Sequence, residues 1–351
     1  MSDNNAKNKK KINKKAKLFL RIAISIILLI FFASKVNLNE TLSMIANTNY
    51  IYLALGLLLY FVGQTISAYK WSIIAATIGF KRKFSEYLQF YFIGMFFNLF
   101  LPSTVGGDVG KAYYLSKGES NGRKAPAIYT VLAERMSGLA VLAWLGTIAL
   151  LTPMGSTFPA TLKYIAIALS LSILIGAPLF PIVMKKIFSE NNWLNRSMMN
   201  DVMVFWNTKL TIQCLGLSLI FHLIIILIHI LISLALHLDI SPWYYFAIYP
   251  IVAIIGFIPI AFNGIGVREG AYIYLLSHAG AIESGAGLAF GILWFSIIVA
   301  ASLVGGIVYI KGHHTPPPED YEAPGLNLNE LTNPDNSDKQ NINDSKQLIS
   351  N

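Results

Sequence analysis

The sequence has few charged residues and a single cysteine, and each shortage excludes a class of protein. Charged residues make up 13% of the 351 positions, whereas soluble globular domains carry about 25%. Hydrophobic residues make up 55%, and the mean hydropathy is +0.56. These values exclude a water-soluble enzyme and a nucleic-acid module, so no nucleic-acid partner is expected. The lone Cys214 excludes an internal disulfide and a metal site with several cysteines.

Long apolar segments take the place of the missing charge, and they predict an all-α polytopic integral membrane protein. A helix needs about 20 apolar residues to cross a hydrocarbon core of about 30 Å. None of the segments alternates polar and apolar residues as the strands of a membrane barrel do. Six of the eight are long enough and continuous enough to span. The eight segments are 18–36, 51–76, 87–101, 128–151, 162–183, 211–236, 243–262 and 284–311.

Two of these segments are not convincing spans. Segment 87–101 is too short for the hydrocarbon core. Segment 243–262 contains Pro250 and Pro259, which remove backbone donors and kink a helix. Each runs into a glycine-rich polar stretch, at 102–108 and 263–270. We therefore expect two re-entrant segments that enter the membrane and return to the same side.

The loop charges favour this arrangement. Loops 152–161 and 237–242 contain no Lys or Arg, and cytoplasmic loops carry an excess of both. Two re-entrant segments leave those two loops outside and all the basic loops inside, with both termini in the cytoplasm. If 87–101 spanned instead, the positive-inside bias would be inverted. The basic residues concerned are Lys111, Lys117, Arg123, Lys124, Lys185, Lys186 and Arg196.

The segment order predicts a membrane domain at 18–311 that is built as an inverted repeat. The order span, span, re-entrant segment, span occurs at about 18–152 and again at 162–311. Three spans in each half place the second half in the membrane upside down, as in many transporters. A basic cytoplasmic tail, 1–17, precedes this domain, and an acidic tail typical of disorder, 312–351, follows it. Eight ordinary spans are the alternative.

The first glycine-rich stretch contains candidate anion ligands. Polar backbone survives at membrane depth only where protein or a water-filled cavity covers it. Gly106 and Gly107 allow a close approach of backbone N–H groups to a ligand, and Lys111 follows Asp108 by about one helical turn. A helix that begins here directs its N-terminal dipole at an anion. Asn98 precedes the stretch as a possible donor. The alternative is an ordinary turn in which Asp108 caps a helix.

The second stretch is similar in kind. Gly264 and Gly266 precede Arg268 and Glu269, in a region otherwise without Lys, Arg, Asp or Glu from position 241 to 282. Arg is suited to bidentate contact with phosphate and stays charged in any environment. Asn263 is a candidate donor to the same ligand. The alternative is a local pair of Arg268 and Glu269 that only holds the turn together.

Three more ionisable residues lie inside predicted spans, namely Lys70, Glu134 and Arg135. Charge is costly there and usually faces a cavity or a partner. Lys70 could extend its amine to the membrane surface beside Trp71, and this is the favoured interpretation for it. Glu134 is shorter and needs a nearby partner, for which Arg135, Lys70 and Arg268 are the candidates.

Three histidines recur in one predicted span. His222, His229 and His237 are seven and eight residues apart, so they are predicted to share one helix face. A proton relay is conceivable, and polar helix–helix contact is the preferred interpretation.

Four motifs in order resemble the lysylphosphatidylglycerol synthase transmembrane-region family. They are Lys70-Trp71, the stretch 98–111, the stretch 134–138 and the stretch 263–270. The resemblance covers about residues 18–311 and implies a flippase-like membrane domain, also found in hopanoid-transport-like proteins. The resemblance leads us to expect Arg at position 111, where this chain has Lys. The positive charge is kept, but the planar guanidinium group is lost. Bifunctional members add a soluble aminoacyl-transferase domain, for which we find no segment here.

The sequence and the resemblance together predict a flippase-like protein of the cell membrane that translocates a lipid with an anionic or phosphorylated head. The partner is expected to be a phospholipid or a polyprenyl- or hopanoid-type lipid. No cofactor, metal or catalytic activity is expected, and there is no nucleotide-binding motif. The alternatives are an enzyme of lipid modification and a partner of a separate lipid-modifying synthase. The predicted head-binding residues are Lys70, Asn98, Gly106, Gly107, Asp108, Lys111, Glu134, Arg135, Asn263, Gly264, Gly266, Arg268 and Glu269.

Overall fold

The structure is a computed structural model, and it describes most of the predicted membrane domain. The described residues are 19–20, 22–100, 106–119, 124–187, 203–257, 261, 264–280 and 285–312. The predicted tail 1–17, nearly all of the predicted acidic tail and Asn263 lie outside these residues. Within them every regular element is helical, which confirms the predicted all-α class.

Eleven α-helices follow one another along the described chain. Five of them, α3, α6, α7, α8 and α11, are long and apolar enough to cross a membrane. In order, the helices are α1 (Ile22–Ala33), α2 (Leu38–Ala46), α3 (Tyr50–Thr77), α4 (Phe84–Phe100), α5 (Gly106–Ser116), α6 (Lys124–Leu151), α7 (Ala160–Ile187), α8 (Thr208–Ala235), α9 (Tyr245–Phe257), α10 (Val267–His278) and α11 (Ala286–Lys311).

The first predicted span, 18–36, contains the short helix α1, and the chain bends directly after it. Helices α1 and α2 meet at 92° and count as a sixth span only if the pair is taken together. The bend occurs where Asn37 starts a new helix, because its side-chain oxygen accepts from the backbone N–H groups of Asn39 and Glu40 at 3.1 and 3.3 Å. An Asn at this position satisfies N–H groups that would otherwise have no partner.

Each of the two segments predicted to be re-entrant forms a pair of short helices together with the stretch that follows it. Helix α4 has 17 residues and is followed by the 11-residue α5, and the 13-residue α9 is followed by the 12-residue α10. Pro250 lies inside α9, as the sequence indicated. A long helix, two short helices and a long helix therefore occur in the same order twice, as α3–α6 and as α8–α11.

The two sets of four helices, α3–α6 and α8–α11, pack against each other, and the first short helix of each set contacts the last long helix of the other. Helix α3 makes its most extensive contact with α8, while α4 packs on α11 and α9 packs on α6. Glycines allow α4 to lie close to α11 and α9 to lie close to α6. A Cβ at Gly305 of α11 would collide with the backbone of Phe92 in α4, and a Cβ at Gly146 of α6 would lie 2.9 Å from Pro250. The space between the two sets is where the polar residues meet.

Candidate functional site

A polar cavity of about 280 Å³ lies inside the membrane domain. Helices α3, α4, α5 and α6 of the first set line it, together with α8, α10 and α11 of the second. Its apolar lining includes Met95, Leu139 and Phe221. The polar lining residues are Tyr60, Gln64, Ser67, Lys70, Tyr91, Asn98, Lys111, Glu134, Arg135, His222, Arg268 and Ser302.

One face of α3 supplies a column of these residues. Tyr60, Gln64, Ser67 and Lys70 are spaced by four, three and three positions, which places them on one side of a helix. All four are buried. Lys70 was a predicted site residue and the other three were not, although polar residues at this spacing inside an apolar helix are a signal that could have found them.

Glu134 of α6 is the centre of the charged cluster. The carboxylate is 5% exposed, and Nζ of Lys111 donates to its Oε2 at 2.9 Å. The hydroxyl of Tyr91 donates to Oε1 at 3.1 Å, and Nζ of Lys70 lies 4.0 Å from the same atom. Lys70 was a predicted partner of Glu134, and Lys111 and Tyr91 were not.

Lys70 does not extend to the membrane surface, so that interpretation is wrong. Its side chain is 4% exposed, and its Nζ donates to the Ser218 hydroxyl at 2.8 Å and to the Glu134 carbonyl at 3.1 Å. Ser218 lies on α8, so this amine joins the two sets of helices. The amine points inward because Glu134 and two neutral oxygens compensate for the lost water.

Asp108 and Arg135 form a bidentate ion pair. Nε and Nη2 of Arg135 donate to the two carboxylate oxygens at 2.8 and 2.9 Å, and Nζ of Lys111 lies 3.3 Å from Oδ1. Parallel bonds of this kind are strong and fix the orientation of the guanidinium. Asp108 is therefore more than a helix cap, since it connects α5 to α6. Lys111 lies between the two carboxylates and binds both.

The glycines of the first stretch bring two helices together. A Cβ at Gly107 would collide with the carbonyl of Gly94 and would lie 2.6 Å from Cγ of Asn98. The Gly107 N–H donates to Oδ1 of Asn98 at 2.8 Å. This N–H group therefore faces α4 and is already bonded, while Gly106 begins α5 beside it.

The second stretch starts α10. Gly264 and Gly266 have φ angles of +71° and +87°, which side chains other than glycine rarely adopt. The Gly266 N–H donates to Oε2 of Glu269 at 2.6 Å, so this carboxylate caps its own helix. Among the described residues Glu269 makes no ion pair with Arg268, so the alternative of a local pair is not what the structure shows there.

Arg268 is the charged lining residue without a described anionic partner. Its guanidinium carbon lies 5.4 Å from the centre of the Phe295 ring. Nε and Nη2 are buried, and no hydrogen-bond acceptor for either is found in the part of the chain that the structure describes. A buried guanidinium without acceptors is costly, which makes these atoms the natural contact for an anion.

The histidines make neutral contacts between helices. His222 bonds the Gly138 carbonyl through Nε2 at 2.9 Å, and its Nδ1 lies 2.8 Å from the Tyr249 hydroxyl. His229 bonds the Ile225 carbonyl of its own helix at 2.8 Å, and its Nε2 lies 2.7 Å from the Tyr272 hydroxyl of α10. His237 lies after the end of α8 with a φ of 56° and does not share their face, contrary to expectation.

The structure brings six of the predicted site residues to one cavity. Asp108 joins them through its ion pairs with Arg135 and Lys111. Gly106, Gly107, Gly264, Gly266 and Glu269 form the helix ends around the cavity rather than its lining. Across the described ranges, no three His, Cys, Asp or Glu side chains are grouped as metal ligands would be. The six lining residues are Lys70, Asn98, Lys111, Glu134, Arg135 and Arg268.

The chain belongs to the family described as the lysylphosphatidylglycerol synthase TM region, which it matches over residues 18–306. This match confirms the resemblance found in the sequence and, with the apolar helices, identifies a multi-pass membrane protein of a lipid-related family.

Two relatives are described as UPF0104 membrane proteins, and each is similar to this chain over 121 residues. MJ1595 of Methanocaldococcus jannaschii is 29% identical over that stretch, and PH1989 of Pyrococcus horikoshii is 25% identical. Each match covers 34% of this chain and spans 36% of the relative's own length.

Proposed function

We propose that this protein binds a lipid with an anionic or phosphorylated head in the cavity and moves that head across the cytoplasmic membrane. The observation that carries the proposal is Arg268, a buried guanidinium on the cavity wall whose Nε and Nη2 have no described acceptor. The planar guanidinium group can bind a phosphate through two parallel hydrogen bonds. The head would bind there while its apolar tails stay in the bilayer.

The charges around Arg268 support an anionic head. Glu134 and Asp108 compensate two of the three cations on α3, α5 and α6, and Arg268 adds a further positive charge from α10. A phosphate between Arg268 and the cluster would contact both sets of helices at once. Lys70, Lys111 and Arg135 would strengthen its binding, because charges interact more strongly away from water.

The inverted repeat is part of this proposal. The repeated order of helix lengths and the reciprocal packing of α4 on α11 and α9 on α6 support it. In this arrangement α4–α5 and α9–α10 are the two re-entrant segments, the termini are cytoplasmic, and the cavity lies near the midplane between the halves.

Cysteine labelling tests this topology. On a Cys214→Ser background, cysteines at Ser156 and Ser241 should react with an impermeant thiol reagent in intact cells, and a cysteine at Ser116 should not. Reaction at Ser116 from outside would mean that the chain crosses the membrane between α3 and α5, and the inverted repeat would be wrong.

We propose no catalytic role for Glu134, the strongest candidate for a general base. Its Oε1 accepts from Tyr91 and its Oε2 accepts from Lys111, so both oxygens are engaged. These two contacts hold the carboxylate toward α4 and α5, whereas a general base must lie within hydrogen-bond reach of the proton that it removes. Lipid turnover by purified wild-type protein, abolished in Glu134→Gln, would contradict this assignment.

Transport by reconstituted vesicles tests the function. Acyl-labelled phosphatidylglycerol in the inner leaflet should become accessible to an added quencher when the wild-type protein is present. Arg268→Ala should lose most of this movement, because the phosphate loses its guanidinium contact. Arg268→Lys should keep part of it, since the charge remains without the planar fork.

The matched control is Lys209→Ala, which removes an exposed positive charge at the start of α8, away from the cavity. This variant should behave like the wild type at equal protein density. Unchanged transport by a folded Arg268→Ala protein would contradict the phosphate contact. No movement of lipid by the wild type in any vesicle composition would contradict the function itself.

A further inference from the structure

We propose that Ile74, Leu210 and Cys214 form a gate between the cavity and the cytoplasm, and that the hydrogen bond between Lys70 and Ser218 holds this gate closed. The proposal rests on the proposed function and its topology, and it identifies the side on which the cavity opens. It depends on the order in which side chains follow one another along α3 and α8.

A groove of about 630 Å³ lies at the ends of α3 and α8 that the proposed topology places on the cytoplasmic side. Ile73 and Thr77 line it from the end of α3, and Leu210 and Gln213 line it from the start of α8. Trp206, in the segment that leads into α8, lines it as well. In that topology the groove lies between the cytoplasmic face and the cavity.

Along α3, one turn of helix separates the cavity from the groove. Lys70 lines the cavity, and Ile73 and Thr77 line the groove. Ile74 follows Lys70 by four positions, so it lies on the same face of the helix and one turn closer to the cytoplasm. Its side chain is 1% exposed. Ile74 is therefore the α3 residue that fills the space between the two hollows.

Helix α8 carries the same order in the opposite chain direction. Leu210 lines the groove, Cys214 follows four positions later, and Ser218 follows after four more, so the three share one helix face. The Ser218 hydroxyl accepts from Nζ of Lys70, while Leu210 and Cys214 form one buried apolar cluster with Ile74. Among the described residues, this layer between the groove and the Lys70 amine is about one helical turn thick, or about 5 Å.

A much thicker layer closes the other side of the cavity. A large buried cluster extends from Tyr60 and Leu142, which line the cavity, to Phe158 and Ile240 in the two loops that the proposed topology places outside. Helix α3 continues from Tyr60 to its start at Tyr50, a length of about 15 Å. Apolar packing stabilises in proportion to the area that it buries. The thin cytoplasmic layer is therefore the one that opens at the lower cost.

The Lys70 amine joins the helices around this layer. Its Nζ on α3 donates to the Ser218 hydroxyl of α8 at 2.8 Å and to the Glu134 carbonyl of α6 at 3.1 Å. Ala133 of α6 also packs against the layer. Hydrogen bonds from a charged donor are stronger than neutral ones. The layer parts when α3 moves away from α8, so the bond between Lys70 and Ser218 must break as the gate opens.

Cys214 makes the opening measurable, because it is the single cysteine of the chain. The rate at which an impermeant thiol reagent labels it in inside-out vesicles of the full chain reports how often the layer opens to the cytoplasm. The wild type should label slowly, since this residue is 6% exposed. Ser218→Ala should label about tenfold faster, because loss of the bond to Lys70 lowers the cost of opening by about 1.4 kcal/mol.

Ser233→Ala is the matched control, since Ser233 is a buried serine near the outer end of the same helix. This variant should label at the wild-type rate. Ile74→Ala thins the layer and should label faster, and thermal melting shows whether each variant is folded. In right-side-out vesicles all four proteins should label slowly, because the thick cluster lies on that side. Equal labelling of folded wild type, Ser218→Ala and Ile74→Ala from the cytoplasmic side would overturn the gate, as would faster labelling from outside.

Transport tests the same layer by obstruction. Once a bulky methanethiosulfonate reagent has modified Cys214, the protein should lose most of its transport of acyl-labelled lipid, and a reductant that removes the adduct should restore it. Cys214→Ser has no thiol and should keep its transport under the same treatment. Undiminished transport by the fully modified protein would overturn the gate.

The two measurements separate the gate from the function. If the wild type moves no lipid while Ser218→Ala and Ile74→Ala label faster as expected, the proposed function is wrong and the gate stands. If lipid moves but neither substitution changes the labelling and modification of Cys214 leaves transport intact, the gate is wrong and the function stands.

Discussion

The two polar stretches of this protein begin from similar sequences and reach different electrostatic states. In the first, around α5, Asp108 and Lys111 form ion pairs with Arg135 and Glu134 of α6. In the second, around α10, Glu269 turns back to cap its own helix. Arg268 is then left without a described acceptor for Nε and Nη2.

The difference assigns separate tasks to the two stretches. Paired charges hold α5 and α6 in a fixed relation, because breaking such a pair inside a protein leaves an uncompensated charge. A guanidinium without a described acceptor adds no comparable ion pair to the fold, and in the proposed function it contacts the ligand. Substitutions in the first stretch should therefore damage stability, and those at Arg268 should damage binding.

The largest effect is expected from Glu134→Ala. Removing this carboxylate leaves Lys70 buried without its ion-pair partner and leaves Lys111 with Asp108 alone, at a cost of about 3–5 kcal/mol in the free energy of unfolding. Arg268→Ala should stay within about 1 kcal/mol of the wild type, because it breaks no described ion pair. Chemical unfolding in detergent micelles measures both changes.

Glu119→Gln is the control for this comparison, since Glu119 pairs with Arg82 near the surface at 3.6 Å. Exposed pairs contribute about 0–1 kcal/mol. If Arg268→Ala destabilises the protein as much as Glu134→Ala does, the second stretch is as structural as the first, and the contrast between them disappears.

A smaller difference is expected between two glycines, one from each stretch. Gly107→Ala should cost about 3 kcal/mol, because the new methyl group meets the backbone of α4, which cannot rotate away. Gly264→Ala has more space but forces Ala to a φ of +71°, at a cost of about 1 kcal/mol. Thermal unfolding of the two variants should preserve this order.

Gly216→Ala serves as the reference here, since a Cβ at Gly216 would meet nothing within 4 Å. It should not destabilise the protein, because Ala favours a helix interior more than Gly does. A Gly107→Ala protein as stable as Gly216→Ala would mean that α4 and α5 do not approach as closely as the structure shows.

The smallest effect concerns a neutral contact within the second set of helices, between α8 and α9. Tyr249→Phe removes the hydroxyl that lies 2.8 Å from Nδ1 of His222. Loss of one buried hydrogen-bond partner should cost about 1 kcal/mol in unfolding free energy. Tyr50→Phe, at an exposed position, should change it by less than about 0.5 kcal/mol. Equal values for the two variants would show that this contact adds nothing to the fold.

Much of the fold was predictable because helices in a membrane need long apolar segments, and the sequence displays them. The bend between α1 and α2 was missed, although Asn37 followed by Glu40 is a recognisable helix start. Hydropathy averages over a window of residues, so a capping signal of two residues disappears within it. The pairs α4–α5 and α9–α10 were located through their proline and glycine content.

The residues of the candidate site could be predicted from the sequence, but most of the side chains that they contact could not. Charge at membrane depth identified Lys70, Glu134 and Arg135, because such charge is costly and therefore rare. Their partners depend on how helices pack, which spacing along one helix cannot show. The sequence alone therefore favoured the wrong orientation for Lys70 and did not name Lys111 as the partner of Glu134. Tyr91 was overlooked because an aromatic residue in an apolar segment is not distinguishable by sequence from a residue that packs the core.

The excess positive charge of the cavity has a consequence for energy coupling. The cations are fixed to helices, so a head that crosses between the faces carries its own charge through the membrane potential. One elementary charge gains or loses about 2.3 kcal/mol for each 100 mV. In a membrane that is negative inside, a negative head is driven outward without any nucleotide. The negative head that we propose as cargo is therefore one that the membrane voltage can move.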